Sequence, residues 1–188
     1  MILVVAATER ELAFVDGAET LCCGIGPVEA ALATARGLAE RSPRALLHVG
    51  IAGATSLEPR TLVIGSEAVY CDLLDAKATI PRVERAHPAP ELVVAAGRAL
   101  PDARVLPIGT TGRVGGGTTC EVEAMEGFAV LRAAELAGIP AVEVRAISNA
   151  VADDRSLWRI DDALRTLAEA VPRLVDELGR VEVMPQRS

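Results

Sequence analysis

The sequence predicts an α/β domain of three layers, in which helices flank a central mixed, mostly parallel sheet. Short runs rich in Val, Leu and Ile alternate with Ala- and Leu-rich helical stretches from one end of the chain to the other. Hydrophobic residues make up 51% and charged residues 24%, which is typical of a globular chain and not of a disordered one. With 188 residues, the chain is predicted to form a single domain over residues 1–188.

The N-terminal half contains four predicted strands and one helix. Residues 2–6 form a continuous apolar run of the kind that is buried in a parallel sheet, and residues 20–23 form a second, shorter run. Apolar side chains recur at helical spacing over 28–40, which predicts an amphipathic helix. Residues 45–49 predict another buried strand, and 61–70 a longer one.

The C-terminal half continues the alternation as far as residue 178. We predict helix 90–100, strand 103–108, helix 121–137, strand 141–148 and helix 160–178. Gly138 and Pro140 follow the second of these helices, as expected just beyond a helix C-terminus. The remaining segments have no clear periodicity, so residues 75–90 are expected to be a surface excursion and 180–188 a frayed tail.

Composition and charge exclude several function classes. The net charge is −7 and no cluster of basic residues is present, which argues against a nucleic-acid partner. No apolar run approaches the roughly 20 residues that a membrane span needs, and no basic segment precedes the first strand as in a signal peptide. The cysteines show no metal-ligand spacing, and neither do the two histidines. We therefore expect a cytoplasmic protein with reduced thiols, no metal and no cofactor.

Ligands of parallel α/β sheets bind at the carboxyl ends of the strands, where this chain carries several polar or glycine-rich segments. Glu9 and Glu11 follow the first strand, and they either point into this crevice or only favour the N-terminus of a short helix. Gly24 and Gly26 resemble the start of a dinucleotide fingerprint, but Glu29 occupies the place of the third glycine.

Two further glycine-rich segments contain small residues only. Ala52 and Gly53, after the strand at 45–49, allow a flat or sugar-like ligand to approach the backbone. Residues 115–117 are three glycines in a row, for which the sequence assigns no role.

The most specific segments are 121–128 and 143–149. Gly127 lies inside a predicted helix, where it costs about 1 kcal/mol relative to Ala and indicates a close contact nearby. On the strand, the period of two places Glu143, Arg145 and Asn149 on one face. These residues form either an internal Glu143–Arg145 ion pair or the polar floor of a pocket.

Taken in order, these segments resemble the nucleoside phosphorylase and nucleosidase superfamily over most of the chain. The matching motifs are Ala-Thr-Glu-Arg-Glu at 7–11, Gly-Ile-Gly-Pro-Val at 24–28, Val-Gly-Ile-Ala-Gly at 49–53 with Leu-Val-Ile-Gly-Ser at 62–66, Glu-Ala-Met-Glu-Gly at 123–127, and Val-Arg-Ala-Ile-Ser-Asn at 144–149.

The resemblance implies a role for each matching residue. Glu11 would be the general base that activates water, Met125 would pack under the sugar, and Glu126 would hold the 2′- and 3′-hydroxyls of the ribose. A carboxylate clamp and an oriented water suit the oxocarbenium-like state of N-glycosidic cleavage. Two further expected substrate contacts are the Ala52–Gly53 backbone and Phe128.

Asn149 departs from the adenine-specific members of the superfamily, which carry Asp at this position. An amide accepts a hydrogen bond from a protonated N7 and donates one to a 6-oxo group, so it is expected to assist departure of hypoxanthine or guanine. Phosphorylases that act on 6-oxopurines use Asn similarly. No basic residue lies within the turn at 24–28, however, and the nearest one to Gly53 is Arg60. Water is therefore the expected nucleophile.

Within the superfamily, the motifs together with Asp154, Arg155 and Trp158 are most similar to those of futalosine hydrolases, which release hypoxanthine from futalosine in menaquinone biosynthesis. The benzoate of futalosine would require an Arg near the 5′ side, either Arg113 or Arg155. The resemblance also implies a homo-oligomer. The alternatives are a purine nucleoside phosphorylase, a methylthioadenosine/S-adenosylhomocysteine nucleosidase, and a nucleotide-binding module without catalytic activity.

Overall fold

A computed structural model describes residues 1–73 and 81–182 of the chain. Residues 74–80 and 183–188, which include 75–80 of the predicted excursion and most of the predicted tail, lie outside the described residues. The elements in chain order are β1 (Ile2–Ala6), α1 (Glu9–Leu12), β2 (Glu19–Cys22), α2 (Pro27–Arg41), β3 (Ala45–Ala54), β4 (Leu62–Tyr70), β5 (Arg85–Ala86), α3 (Pro90–Ala99), β6 (Arg104–Thr110), β7 (Val122–Ala124), α4 (Gly127–Leu136), β8 (Ala141–Ala150), a 3-10 turn (Arg155–Leu157) and α5 (Ile160–Gly179).

Helices cover both faces of the sheet, which confirms the predicted fold class. Helices α3 and α5 pack over a core that includes Val4 and Leu47, whereas α2 and α4 pack over one that includes Leu3 and Leu46. Successive residues of β1 and β3 thus point to opposite layers, as the period of a strand requires. Both faces of these strands are buried, which explains their continuous apolar sequences.

Strand pairing closes part of the sheet into a ring. Strand β1 lies parallel to both β2 and β3, and β3 lies parallel to β8. Strand β4 pairs with β8 and β6, and β7 then links β6 back to β3. In the pairing of β3 with β8, Gly50 lies beside Arg145, and a shift of register between Ala52 and Gly53 places Gly53 beside Asn149. This pairing brings two of the segments singled out in the sequence to one place.

Two predicted boundaries are wrong. Strand β3 continues to Ala54, so Ala52 and Gly53 lie within the strand and not after it; pairing with β7 and β8 extends the strand through the glycines. The helix predicted over 121–137 begins only at Gly127, because Val122–Ala124 forms a strand between β3 and β6. The predicted end of this helix is confirmed, since Gly138 follows it with φ = 66°.

Over the same described residues, no helix is both long and apolar enough to span a membrane.

Candidate active site

A cavity of about 410 Å³ lies at the carboxyl ends of β1, β3 and β8. Seven of the eight site residues proposed from the sequence line it: Glu11, Ala52, Gly53, Met125, Glu126, Asn149 and Arg155. Phe128 is not among the lining residues, and its ring instead stacks on Tyr70 with 5.2 Å between ring centroids. The strand ends therefore assemble a site of the expected composition, with Phe128 outside it.

Glu11 lies in the first turn of α1, where its carboxylate is held by three donors. Its Oε2 accepts from the backbone N of Thr8 at 3.0 Å and from Thr8 Oγ1 at 2.7 Å, while Oε1 accepts from the backbone N of Ile51 at 3.0 Å. Thr8 and Glu11 form a capping box that begins the helix. The two interpretations of this segment, a helix N-terminus and a group that points into the crevice, thus both apply, because the Glu11 side chain caps α1 and also lines the cavity. Glu9, by contrast, is exposed to solvent.

Glu126 is the N-cap residue of α4, and its two oxygens are held from opposite sides. Oε1 accepts from the backbone N of Gly26 at 3.1 Å, and Oε2 accepts from Arg145 Nη2 at 3.3 Å. Gly26 has φ = 91°, a conformation that favours glycine. The turn that resembled a dinucleotide fingerprint therefore presents a backbone N–H to a carboxylate of the protein itself.

Arg145 is 1% exposed and connects three polar side chains beneath the cavity. Its Nε donates to Glu143 Oε1 at 2.8 Å, and Nη2 donates to His48 Nε2 at 2.5 Å as well as to Glu126. Burial and the charge of Arg145 hold the pKa of His48 well below its usual value, so the ring is neutral and its Nδ1–H donates to the carbonyl of Val5 at 3.0 Å. The predicted ion pair and the predicted polar floor are thus the same structure.

Burial by itself lowers the pKa of Arg145, but the carboxylates of Glu143 and Glu126 raise it by more than burial lowers it. The pKa is therefore raised overall, and the guanidinium remains charged. Gly50 provides the space for this group. A Cβ at Gly50 would overlap with Arg145 Nη1 and would lie 2.9 Å from Glu11 Oε1. The side chains of Glu11 and Arg145 therefore both approach a backbone position that only glycine leaves open.

The Asn149 amide is oriented by two hydrogen bonds. Ser148 Oγ donates to Oδ1 at 2.7 Å, and Nδ2 donates to the carbonyl of Ala150 at 2.9 Å. One N–H and one lone pair of the amide remain for a ligand. Gly53 leaves room for the group, since a Cβ there would lie 3.1 Å from Nδ2.

The three-glycine segment, which had no role at the sequence level, wraps around Glu123. The backbone N–H groups of Gly115, Gly116 and Gly117 donate to its carboxylate at 2.8, 3.1 and 2.7 Å. Gly115 and Gly116 have φ of 83° and 89°, which turns successive N–H groups toward one anion. Because Gly115 and Glu123 line the cavity, this loop forms part of its wall.

Two exposed arginines line the cavity nearer to solvent. Arg10 forms an ion pair with Asp161 at the start of α5, and the guanidinium of Arg155 lies 5.5 Å from the centre of the Trp158 ring. Arg113 is exposed and is not among the lining residues, and Arg60 contacts Thr166 away from the cavity. Over residues 1–73 and 81–182, no group of His, Cys, Asp and Glu side chains is arranged to hold a metal ion.

Comparison with known proteins gives consistent matches. The family model described as Phosphorylase superfamily matches residues 20–180. Futalosine hydrolase of Streptomyces coelicolor is 33% identical over 194 residues, covering 87% of this chain and 80% of that protein. Among solved structures, S-adenosylhomocysteine nucleosidase from Streptococcus pyogenes, in complex with 5-methylthiotubericidin, superposes with a TM-score of 0.81 at 22% identity, covering 97% of both chains. A mutant of futalosine hydrolase of Helicobacter pylori has a TM-score of 0.83 at 18% identity, covering 94% of this chain and 98% of the other.

Proposed function

The chain belongs to the phosphorylase superfamily, and from that premise we propose that it is a purine nucleosidase that hydrolyses futalosine to hypoxanthine and dehypoxanthinylfutalosine, a step of menaquinone biosynthesis. It is an N-glycosyl hydrolase, as are the relatives that it matches. The proposal adds the leaving base, the roles of the site residues and the substrate to that activity.

The observation that carries the choice of base is the Asn149 amide in the cavity wall. Its remaining N–H and lone pair suit a 6-oxopurine, which presents an acceptor at O6 and, once N7 is protonated, a donor at N7. The 6-amino group of adenine would face the amide N–H, donor against donor. A buried polar group that loses its partner in this way costs about 1–3 kcal/mol, enough to select the base.

Two of the carboxylates that line the cavity, Glu11 and Glu126, are suited to the two other parts of the reaction. Glu11 acts as the general base, taking a proton from water as the water attacks the anomeric carbon. Glu126 holds the ribose hydroxyls, and Met125 packs under the sugar. The glycosidic bond breaks toward the base, which takes up a proton from solvent on N7 as it leaves, and Glu11 later returns to solvent the proton that it took from water. The negative charge of both carboxylates stabilises the positive charge that develops on the sugar.

The charge of the cavity supports water as the nucleophile over phosphate. The cationic side chains that line the described cavity are Arg10, Arg145 and Arg155. Arg145 lies deepest, and it already faces the carboxylates of Glu143 and Glu126. A phosphate near the anomeric carbon would thus meet negative charge without an unpaired cation beside it.

The two exposed arginines support a substrate with an anionic 5′ substituent. Arg155 and Arg10 both line the cavity, so the benzoate of futalosine has cationic partners there. The 5′-methylthio group of methylthioadenosine is uncharged and would leave both guanidinium groups without a partner on the substrate.

The purified protein should be incubated with futalosine, inosine and methylthioadenosine, with and without phosphate, and the released base followed by chromatography. We expect hypoxanthine from futalosine at a rate that phosphate does not change. Cleavage that requires phosphate would identify a phosphorylase, and preferential release of adenine would identify a methylthioadenosine nucleosidase; either result would overturn the proposal.

We also propose that the chain is cytoplasmic, forms a single domain and works as a homo-oligomer. Val28 and Leu32 are exposed on α2, and Ile25 is exposed in the turn before this helix and also lines the cavity. A second copy packed there would complete the wall near the 5′ side of the substrate. Light scattering coupled to size-exclusion chromatography should give a mass above 19.6 kDa, and a monomer in the active fraction would contradict this assignment.

A further inference from the structure

We propose that Glu143 is a positioning residue of the reaction, which holds Arg145 and through it aims the Glu126 carboxylate at the ribose hydroxyls. Glu143 is fully buried and is not among the residues that line the cavity, so it does not touch the substrate. Its link to the site is the 2.8 Å hydrogen bond from Arg145 Nε to Oε1.

Glu143 determines which N–H groups of Arg145 are available to Glu126. A guanidinium that faced Glu126 alone would form a two-point pair with it and occupy lone pairs that the ribose needs. Because Glu143 takes the Nε donor, Glu126 receives a single bond from Arg145, through Nη2 at 3.3 Å. A carboxylate has about four acceptor positions, so Glu126 retains capacity for two hydroxyls after its bonds to Arg145 and Gly26.

The surroundings of Glu143 show that its position is specifically accommodated. A Cβ on Gly127, the first residue of α4, would overlap with both carboxylate oxygens of Glu143. The close contact that the sequence indicated for Gly127 is therefore this carboxylate. Oε2 is buried without a hydrogen-bond partner among the described residues, and burial raises the pKa of Glu143 although Arg145 opposes the rise.

A buried oxygen without a hydrogen-bond partner lowers the stability of the folded protein. If Glu143 had no function, an apolar residue at this position would make the fold more stable. The hydrogen bond between Glu143 and Arg145 is 2.8 Å long, and the one between Arg145 and Glu126 is 3.3 Å long. Glu126, the last residue of this series, lines the cavity. Glu126 and Gly127 are consecutive residues at the start of α4. Gly127 leaves room for the Glu143 side chain, and Glu126 has the carboxylate that Glu143 orients.

The inference rests on the proposed function, because it takes Glu126 as the group that binds the ribose. The test compares wild type with Glu143→Gln, whose neutral amide oxygen accepts from Arg145 Nε more weakly than a carboxylate does, so that Arg145 shifts toward the remaining charged partner, Glu126. We expect kcat/KM on the ribosyl substrate to fall about tenfold, within the range for misplacement of a catalytic group. On the 2′,3′-dideoxy form of the same nucleoside, which lacks the hydroxyls, the loss should be less than twofold.

A second measurement places Glu143→Gln and Glu126→Gln in a double-mutant cycle. If Glu143 acts through Glu126, the double variant should be little worse than Glu126→Gln alone. Gly127→Ala should reproduce the loss by displacing Glu143. Gly97→Ala in α3 is the matched control, since a Cβ there meets nothing within 4 Å, and it should leave activity unchanged.

Equal losses on the ribosyl and dideoxy substrates, or losses that add fully in the double variant, would show that Glu143 is structural and would overturn the inference while the proposed function stands. A wild-type protein that releases no purine from any nucleoside would instead overturn the proposed function, and this inference with it.

Discussion

The floor and the rim of the cavity are built in different ways. At the floor, the carboxylates of Glu11 and Glu126 are buried and each is fixed by two or more donors. At the rim, Arg10 and Arg155 are exposed, and their partners are a surface carboxylate and an aromatic ring. Under the proposed function, the floor is preorganised for the bond cleavage, whereas the rim has the adaptability expected of a part that selects the substrate.

The floor and the rim also differ in how much their charged groups contribute to the free energy of folding. Buried charges are retained only when they are paired, and removal of one partner typically costs about 3–5 kcal/mol. Exposed ion pairs such as Arg10–Asp161 contribute about 1 kcal/mol or less. Substitutions at the floor should thus change the chemical step, and substitutions at the rim should change the choice of substrate.

The largest effect is expected for Glu11→Gln. If Glu11 is the general base, as proposed, kcat should fall about 10²-fold or more, while product binding changes little. Glu9→Gln is the matched control, because Glu9 lies on the same short helix but is exposed and does not line the cavity. Steady-state kinetics together with the melting temperatures of both variants would test this. Near wild-type turnover of Glu11→Gln would show that another group activates the water.

The next largest effect is expected for Asn149→Asp, through the ratio of kcat/KM for the 6-oxo and 6-amino forms of one nucleoside. The new carboxyl oxygen would lie where Nδ2 now donates to the carbonyl of Ala150, and it would lack a donor for O6. The lost partner is worth about 1–3 kcal/mol, so the ratio should fall roughly tenfold or more in favour of the 6-amino form. An unchanged ratio would mean that Asn149 does not contact the base.

A smaller effect is expected at the rim, for Arg155→Ala. If the guanidinium binds the carboxylate of futalosine, kcat/KM for futalosine should fall about fivefold, because an exposed ion pair is worth at most about 1 kcal/mol. Inosine, which has no carboxylate, should be cleaved as fast as by wild type. Arg113→Ala, which removes an exposed Arg outside the cavity, should change neither rate. Equal losses on futalosine and inosine would remove Arg155 from the recognition of the 5′ side.

The fold was predictable where the local pattern alone decides the structure. Residues 2–6 and 141–148 are continuous apolar or alternating runs, and both are strands. Residues 122–124 were predicted as helix because Glu, Ala and Met around them are good helix formers, but pairing with β3 and β6 overrides that propensity. Extended pairing between distant segments has no signal in a local window.

The same division holds for the site. The segments that carry Glu11 and Glu126 were recognisable by their order along the chain, which a resemblance can detect. The contact of Gly115–Gly117 with Glu123 is tertiary and had no local signal. His48, by contrast, does have a local signal in the sequence, because it is the single polar residue in the buried strand 45–49.

The last prediction concerns stability and not activity: it is the effect of His48 on the dependence of the free energy of unfolding on pH. Burial, and then the charge of Arg145, hold the pKa of His48 well below the value near 6.5 that the unfolded chain has. Below that pH the unfolded chain binds a proton that the folded protein does not, so the free energy of unfolding should fall as pH decreases from about 6.5. The slope from this one group is at most about 1.4 kcal/mol per pH unit. Glu143 has a raised pKa and contributes the opposite slope, because the folded protein binds its proton more readily.

Urea unfolding at intervals between pH 7 and pH 5 should therefore show a flatter dependence for His48→Gln than for wild type. His87→Gln is the matched control, because His87 is the second histidine of the chain and is exposed. If His48→Gln keeps the wild-type slope, His48 is protonated in the folded protein. Its Nε2 then cannot accept from Arg145, and the contact at the centre of the cavity floor must be rearranged.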